Sequence, residues 1–215
     1  LPLGSPTSKG KPFINLLPLD EGETITTVMK LPECEDDCKD MSIMFATSQG
    51  NVRRNSLMDF VNVQSNGKIA MKLDEGDKLI NVRICHEDND IMLAARSGKC
   101  IRFPVTDVRV FVGRNSTGVR GIKLAEGDEV ISMSILLHSD ATSEERDEYA
   151  RIASAIKRIS AERGDDSCVS PEDTGLLNVL TTEKYKEMAE REQFILSVTS
   201  TGYGKRTSSY EYRVT

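Results

Sequence analysis

The sequence has no tryptophan, only two histidines and only 5% aromatic residues in a chain of 215. With His86 and His138 as its whole supply, there is little material for a Ser/His/Asp or Cys/His nucleophile system. No apolar run approaches the roughly 18–20 residues that a membrane-spanning helix needs. There is no signal-peptide pattern, and the chain opens on Leu1 rather than Met, so it reads as a piece of a longer protein. Five cysteines (Cys34, Cys38, Cys85, Cys100 and Cys168) are odd in number and unevenly spaced. They argue against a disulfide framework and predict reduced thiols in a cytoplasmic protein.

Short motifs that suggest chemistry fail on spacing. A phosphate-binding loop needs G-x-x-x-x-G-K-[ST]; here Gly204-Lys205 runs into Arg206, and Thr199 stands where the first glycine belongs. "CEDDC" (34–38) has no second pair of ligands for zinc, and "CHED" (85–88) is no better supplied. The first reads as an exposed acidic loop, and His86 as a solvent-facing side chain.

What the sequence does have is repetition. "SKGKPFINLLPLDEGETITTV" (8–28), "SNGKIAMKLDEGDKLINV" (65–82) and "STGVRGIKLAEGDEVISM" (116–133) share a polar-Gly entry, an apolar run and an acidic-Gly turn. Interleaved with them are "IMFATSQGNVRRNSLMDF" (43–60), "IMLAARSGKCIRFPVTDV" (91–108) and "ILSVTSTGYGKRTSSYEY" (195–212), each turning at a glycine into a basic strand. Gly22 to Gly76 is 54 residues and Gly76 to Gly127 is 51, the period of a four-stranded propeller blade. Alternation in "KLINVRI" (78–84) and a positive-φ glycine in "DEGD" read as strands joined by hairpins. The expected fold is all-β: about three to four propeller-like blades that stack to bury their faces.

The third copy is interrupted. Thr142 and Glu145 form a capping box, and Tyr149, Ile152, Ile156 and Ile159 follow at helical spacing, with Gly164 as a stop. Ser170 and Pro171 signal another helix start, and 181–193 reads as a further helical stretch with Tyr185, Met188 and Ala189 on one face. The expected organisation is blades over 1–138, an acidic α-helical insertion over 139–193, and the interrupted blade resumed over 194–215. The net charge of −6 is unevenly held: −2 before residue 139, −6 across 139–193 and +2 after it.

At "FINLLPLDEGETIT", "AMKLDEGDKLI", "STGVRGIKLAEGDEVIS" and "TGYGKRTSSYEYR" the chain resembles the C-terminal domain family of the bacterial DNA gyrase A subunit. The resemblance covers nearly everything outside 139–193. It implies a β-pinwheel, a ring of blades that exchange strands, and a non-catalytic part that wraps double-stranded DNA in support of ATP-dependent negative supercoiling. The implied partners are the remainder of the gyrase A subunit, the gyrase B subunit, and double-stranded DNA. ATP and Mg²⁺ are implied elsewhere in the holoenzyme, with no cofactor or metal on this chain, no membrane, and a cytoplasmic, nucleoid-associated location. The family's nucleophilic tyrosine lies in the N-terminal part of the subunit, so Tyr203, Tyr210 and Tyr212 are expected to pack the blade, with Tyr203 able to reach a phosphate. The Q-R-R-G-G-x-G box of the family's first blade has no match here, which aligns this piece with the middle blades. The related domain of topoisomerase IV is the near alternative, and a propeller-like protein-interaction scaffold the distant one.

Bending DNA over a protein needs a track of cations, since the duplex carries a charge every roughly 1.7 Å of axis. Arg53 and Arg54 align with Ile101-Arg102 and with Lys205-Arg206, which singles out Arg54, Arg102 and Arg206 as recurring phosphate contacts. Lys68, Lys99, Arg114, Arg120 and Lys123 are expected to extend the track. The acidic turns around Asp77 and Asp128 are expected on a separate edge.

Overall fold

In the computed structural model, the described residues are 5, 7, 9–10, 12, 15, 17, 19, 22–62, 67, 69–113, 115–163 and 169–215. Much of the first repeat, Gly164 and Cys168 lie outside them. The elements run β1 (Ser42–Thr47), β2 (Asn51–Ser56), β3 (Leu79–Cys85), β4 (Asn89–Ala95), β5 (Cys100–Pro104), β6 (Val119–Arg120), β7 (Val130–Leu137), α1 (Ser143–Arg163), α2 (Thr182–Arg191), β8 (Phe194–Val198) and β9 (Gly204–Ser208).

Three antiparallel hairpins, β1-β2, β4-β5 and β8-β9, repeat one plan. Their turns close on Gly50, Gly98 and Gly202 at φ 87°, 87° and 88°, a left-handed conformation that glycine adopts without a Cβ clash. Each of the first two hairpins gains one strand from the chain directly after it and one bridge from the chain after the next hairpin. β3 adds to β1, and β7 adds to β4. On the opposite side, Val110 bridges to Arg54 and Val214 to Arg102, both in parallel. The Phe111 and Thr215 amides donate to the carbonyls of Arg54 and Arg102 at 2.8 and 2.9 Å. The β-pinwheel is built of such exchanges. Among the described residues the three sheets have four strands (β3-β1-β2-β6), three (β5-β4-β7) and two (β8-β9).

Strand exchange explains why β1 is buried along its whole length rather than on alternate residues. Met44 and Ala46 face a core shared with the second blade, where Ile91, Leu93, Phe103, Val130 and Met133 meet them. Ile43 and Phe45 face the other way, against Leu57, Met71 and Val82. With both faces covered, a strand reads as a continuous apolar run, as "IMFA" and "IMLA" do. β8 has the same pattern, but among the described residues no such neighbours cover it: Leu196 and Val198 are 71% and 65% exposed.

The two helices stand between β7 and β8. Thr142 and Glu145 form the reciprocal box, with the Thr142 amide donating to Glu145 Oε2 at 2.7 Å and the Glu145 amide to Thr142 Oγ1 at 3.2 Å. Ser170 and Asp173 bond reciprocally at the start of a single 3₁₀ turn, Glu172–Thr174, where the sequence predicts a longer helix. Buried Glu148 gathers the amides of Asn178, Val179 and Leu180 at 2.7 to 3.0 Å, holding the connection to α2. No helix among the described residues is long and apolar enough to cross a membrane.

The acidic turns belong to the hairpin tips, contrary to the expectation of a separate acidic edge. Asp77 accepts from Ser48 Oγ at 2.8 Å and from the Gln49 and Lys78 amides at 2.9 and 2.8 Å. Its repeat counterpart Asp128 accepts from Ser97 Oγ at 2.7 Å and from the Ser97 and Glu129 amides at 3.1 and 3.0 Å. Burial pushes the Asp77 carboxyl up, but donors from Thr47, Gln49, Ser48 and Lys78 outweigh it and hold the group below the usual carboxylate range.

Gly118 has φ 91°, and a Cβ there would run into the Val52 carbonyl and come within 3.1 Å of Arg53 Cβ. Gly118→Ala should therefore cost about 3 kcal/mol or more in urea unfolding. Gly98→Ala, with open space around it, should cost only the backbone strain of about 1–2 kcal/mol. Asp77→Asn should lower stability at pH 7, where the ionised form holds its donors. Because the folded value is depressed, that advantage shrinks as pH falls below the unfolded value of about 3.9 and is gone below the folded one. Unfolding curves of the two proteins should converge in acid.

Candidate nucleic-acid interface

The recurring arginines do not share one environment. Arg54 is 4% exposed and Arg102 2% exposed, so neither presents its charge to solvent. Arg54 donates from Nε to Ser42 Oγ at 3.0 Å, from Nη1 to the Val105 carbonyl at 3.4 Å and from Nη2 to Glu87 at 2.8 Å. Arg102 donates from Nε to buried Asp90 at 2.8 Å, from Nη1 to the Ser209 carbonyl at 2.7 Å and from Nη2 to the Leu137 carbonyl at 3.0 Å. Val105 and Ser209 open the 3₁₀ turns that follow the next hairpin in each case. Each guanidinium therefore reaches across from its own blade into the next, and all three of its nitrogens are engaged.

Arg53 is likewise buried. Its Nε donates to Asn55 at 2.8 Å, its Nη1 to the Ser116 carbonyl at 2.6 Å, and its guanidinium lies 5.0 Å from the Phe111 ring centre. Arg53, Arg54 and Arg102 thus leave the expected phosphate track. The chain at Val110 and Val214 covers the last two, and a buried, hydrogen-bonded guanidinium does not leave its partners for a phosphate in solvent without giving up those bonds. Arg206 occupies the same repeat position but is exposed, its guanidinium 3.5 Å over the Phe194 ring, beside exposed Lys205. Phe194 stands where Ser42 and Asp90 stand in the other hairpins.

The other exposed cations gather at the hairpin tips. The Gly121 amide donates to the Gly50 carbonyl at 2.8 Å, which lays the segment after β6 along the tip of the first hairpin. Lys99, at the tip of the second, donates from Nζ to the Lys123 carbonyl at 3.1 Å. Arg120, Lys123 and Lys99 therefore follow one line from the first tip to the second, and all three are exposed. Arg96 is paired with Glu129 beside them. Lys68 and Arg114 lie outside the described residues. Sequence reasoning passed over Lys72, which is exposed and corresponds to Lys123 in "MKLDEGD" against "IKLAEGD"; aligning those two turns finds it. It also passed over Arg109, stacked 4.2 Å from the Phe111 ring centre.

Of the tyrosines expected to pack the blade, Tyr210 does so and Tyr203 does not. Tyr210 is buried and donates its hydroxyl to the Met188 carbonyl at 2.8 Å; burial, then the nearby Glu192 carboxylate, push its phenol up. Tyr203 is 78% exposed at the third hairpin tip.

Arg102→Ala would leave Asp90 buried without its guanidinium and should cost about 3–5 kcal/mol in urea unfolding. Arg54→Ala leaves a hydroxyl and a solvent-facing carboxylate, and should cost about 1–2 kcal/mol. Charge reversal at either position would test folding, not DNA contact.

Comparison with known proteins agrees with this architecture. The family described as "DNA gyrase C-terminal domain, beta-propeller" matches residues 1–32, 42–86, 89–136 and 193–215. The DNA gyrase A subunit of Rickettsia bellii is 51% identical over the whole chain, which covers 23% of that protein. The corresponding subunit of Granulibacter bethesdensis is 50% identical, again over the whole chain and 24% of that protein. That of Escherichia coli is 39% identical over 63% of this chain and 15% of its own length. The chain thus spans about a quarter of the length of the first two relatives. A gyrase A C-terminal domain structure superposes with a TM-score of 0.51 at 26% identity, covering 60% of this chain and 41% of that one. The C-terminal domain of topoisomerase IV shares the fold with a TM-score of 0.54 at 23% identity, over 61% of this chain and 40% of the other. A strand-exchanged β-repeat, matched by this family across all three hairpins, makes the chain a member of the DNA gyrase A C-terminal domain family.

Proposed function

We propose that this chain binds duplex DNA through the line of exposed cations Arg120, Lys123 and Lys99 and, as part of gyrase A, bends the duplex along the blade tips in support of negative supercoiling. The observation that carries the reading is this line itself. Two successive hairpin tips are joined by one strand that brings solvent-facing cations to both. A row of exposed point charges suits phosphate contact without base reading, because the backbone positions the duplex and its deformability absorbs the bend. Lys205 and Arg206 on the third hairpin would continue the path, with Tyr203 at its tip.

On this reading the chain has no reaction of its own. ATP and Mg²⁺ are used elsewhere in the assembled enzyme, alongside the rest of gyrase A and gyrase B, in the cytoplasm with the nucleoid. The line is not purely basic: Asp128 and the Arg96–Glu129 pair sit beside Lys99. Tight binding is therefore expected only at low salt.

The test is fluorescence anisotropy of a labelled duplex across a salt series. Lys99→Glu/Arg120→Glu/Lys123→Glu should weaken binding of unrelated sequences alike, by about tenfold or more. It should also flatten the log–log salt slope by about 2–3. Binding that is absent at low salt, or indifferent to salt, would overturn the assignment and favour a protein-interaction scaffold.

A further inference from the structure

We propose that the helical segment between β7 and β8 is a brace that fixes the third hairpin against the second blade, with Arg102 as the positioning residue through which it acts. The two joints between successive hairpins use an arginine at the same repeat position, bonded to the corresponding turn carbonyl and bridged by the same kind of strand, but they differ in the acid beside it and in what packs over it.

At the first joint, Arg54 rests on the neutral Ser42 hydroxyl and on Glu87, whose side chain is 73% exposed. That joint opens onto a groove lined by Lys39, Asp40, His86, Glu87 and Val110. At the second joint, Asp90 replaces Ser42 and is wholly buried. One of its oxygens takes Arg102 Nε at 2.8 Å, and the other meets His138 Nδ1 at 2.7 Å. His138 is the first residue after β7, and its carbonyl accepts from Arg191 of α2 at 3.2 Å. The Leu137 amide donates to Gln193 Oε1 at 2.6 Å while the Leu137 carbonyl holds Arg102, so the two roots of the helical segment meet at the clamp.

The far side of the joint is held by the same segment. Gln193 accepts the Ser209 amide at 2.8 Å through its carbonyl, and Ser209 is the residue whose own carbonyl Arg102 grips. Tyr210 inserts its ring beside Tyr149 of α1, with centres 5.2 Å apart, and Tyr149 lies 4.9 Å from Tyr185 of α2. Tyr149 also donates to Glu192 at 3.0 Å, closing the exit of α2 onto α1. Both helices thus grip the 3₁₀ turn of the third blade, while their roots grip the end of the second. Packed aromatic contacts and bonds on both sides of a joint remove its freedom to rock.

The brace is independent of any ligand. Its consequence for DNA, a fixed offset between Lys99 and the Lys205–Arg206 pair, rests on the proposed function. Pulsed electron-resonance distances in the chain alone test the first part. Cys34 and Cys168 are changed to Ser, and buried Cys38 and Cys85 are kept. Nitroxides on Gln49→Cys and Cys100 report the first joint, and those on Cys100 and Ser200→Cys the second. Replacing residues 140–191 by a short Gly-Ser turn should widen the second distribution about twofold and leave the first unchanged. The milder Tyr210→Phe/Arg191→Ala variant, which deletes two hydrogen bonds and keeps the rings, should widen it less. If both variants fold and the second distribution stays as narrow as in the parent, or if both joints widen equally, the brace is overturned; if only the milder one folds, its result alone decides. A doubly labelled duplex then separates the two claims: bending should fall in the braceless chain with affinity nearly kept. A chain that binds no DNA removes the proposed function and leaves the brace to the distances.

Discussion

A guanidinium taken out of water must find partners for its donors, and in this chain each buried one completes its set with a carbonyl of the next blade. Arg54 and Arg102 cannot be satisfied by their own hairpins: Ser42 and Asp90 take one nitrogen each, and the rest reach the Glu87 carboxylate and the carbonyls of Val105, Leu137 and Ser209. The cross-blade bond is therefore a condition of burial, and strand exchange at Val110 and Val214 supplies the burial. Blade order, joint geometry and the solvent exposure of the tips all follow from that one coupling.

The same coupling separates structural from presented charge. Cations on the second strand of a hairpin are covered when a following strand adds beside them, and the third hairpin, with none added among the described residues, leaves Lys205 and Arg206 outside. Cations at the tips escape this fate because the tip lies at the end of the sheet. Its acidic companions do not form a separate edge: Asp77 and Asp128 hold the turns through Ser48 and Ser97 and keep their negative charge beside the tip cations.

Local features were legible in the sequence because short-range chemistry fixes them. The glycines at 50, 98 and 202 and the Thr142–Glu145 box need only neighbours a few residues away. The shortened 3₁₀ turn after Pro171 shows where such signals end: Ser170 bonds reciprocally with Asp173 at its start, yet the chain leaves the turn at Gly175, at φ 64°. The helical segment's attachment was not legible, because Tyr210 is just another strand-end tyrosine until Tyr149 and Tyr185 are brought against it.

By itself the sequence determined the period of the repeat, the all-β class, the helical interruption and the family. These depend on residue type and spacing along one chain. The tertiary structure decided which arginines are clamps and which cations face solvent. Burial of Arg102 depends on Asp90, Leu137, Ser209 and Val214, which lie far apart along the chain, and no local pattern distinguishes it from exposed Arg206. Identical side chains at identical repeat positions acquire opposite roles through what packs beside them.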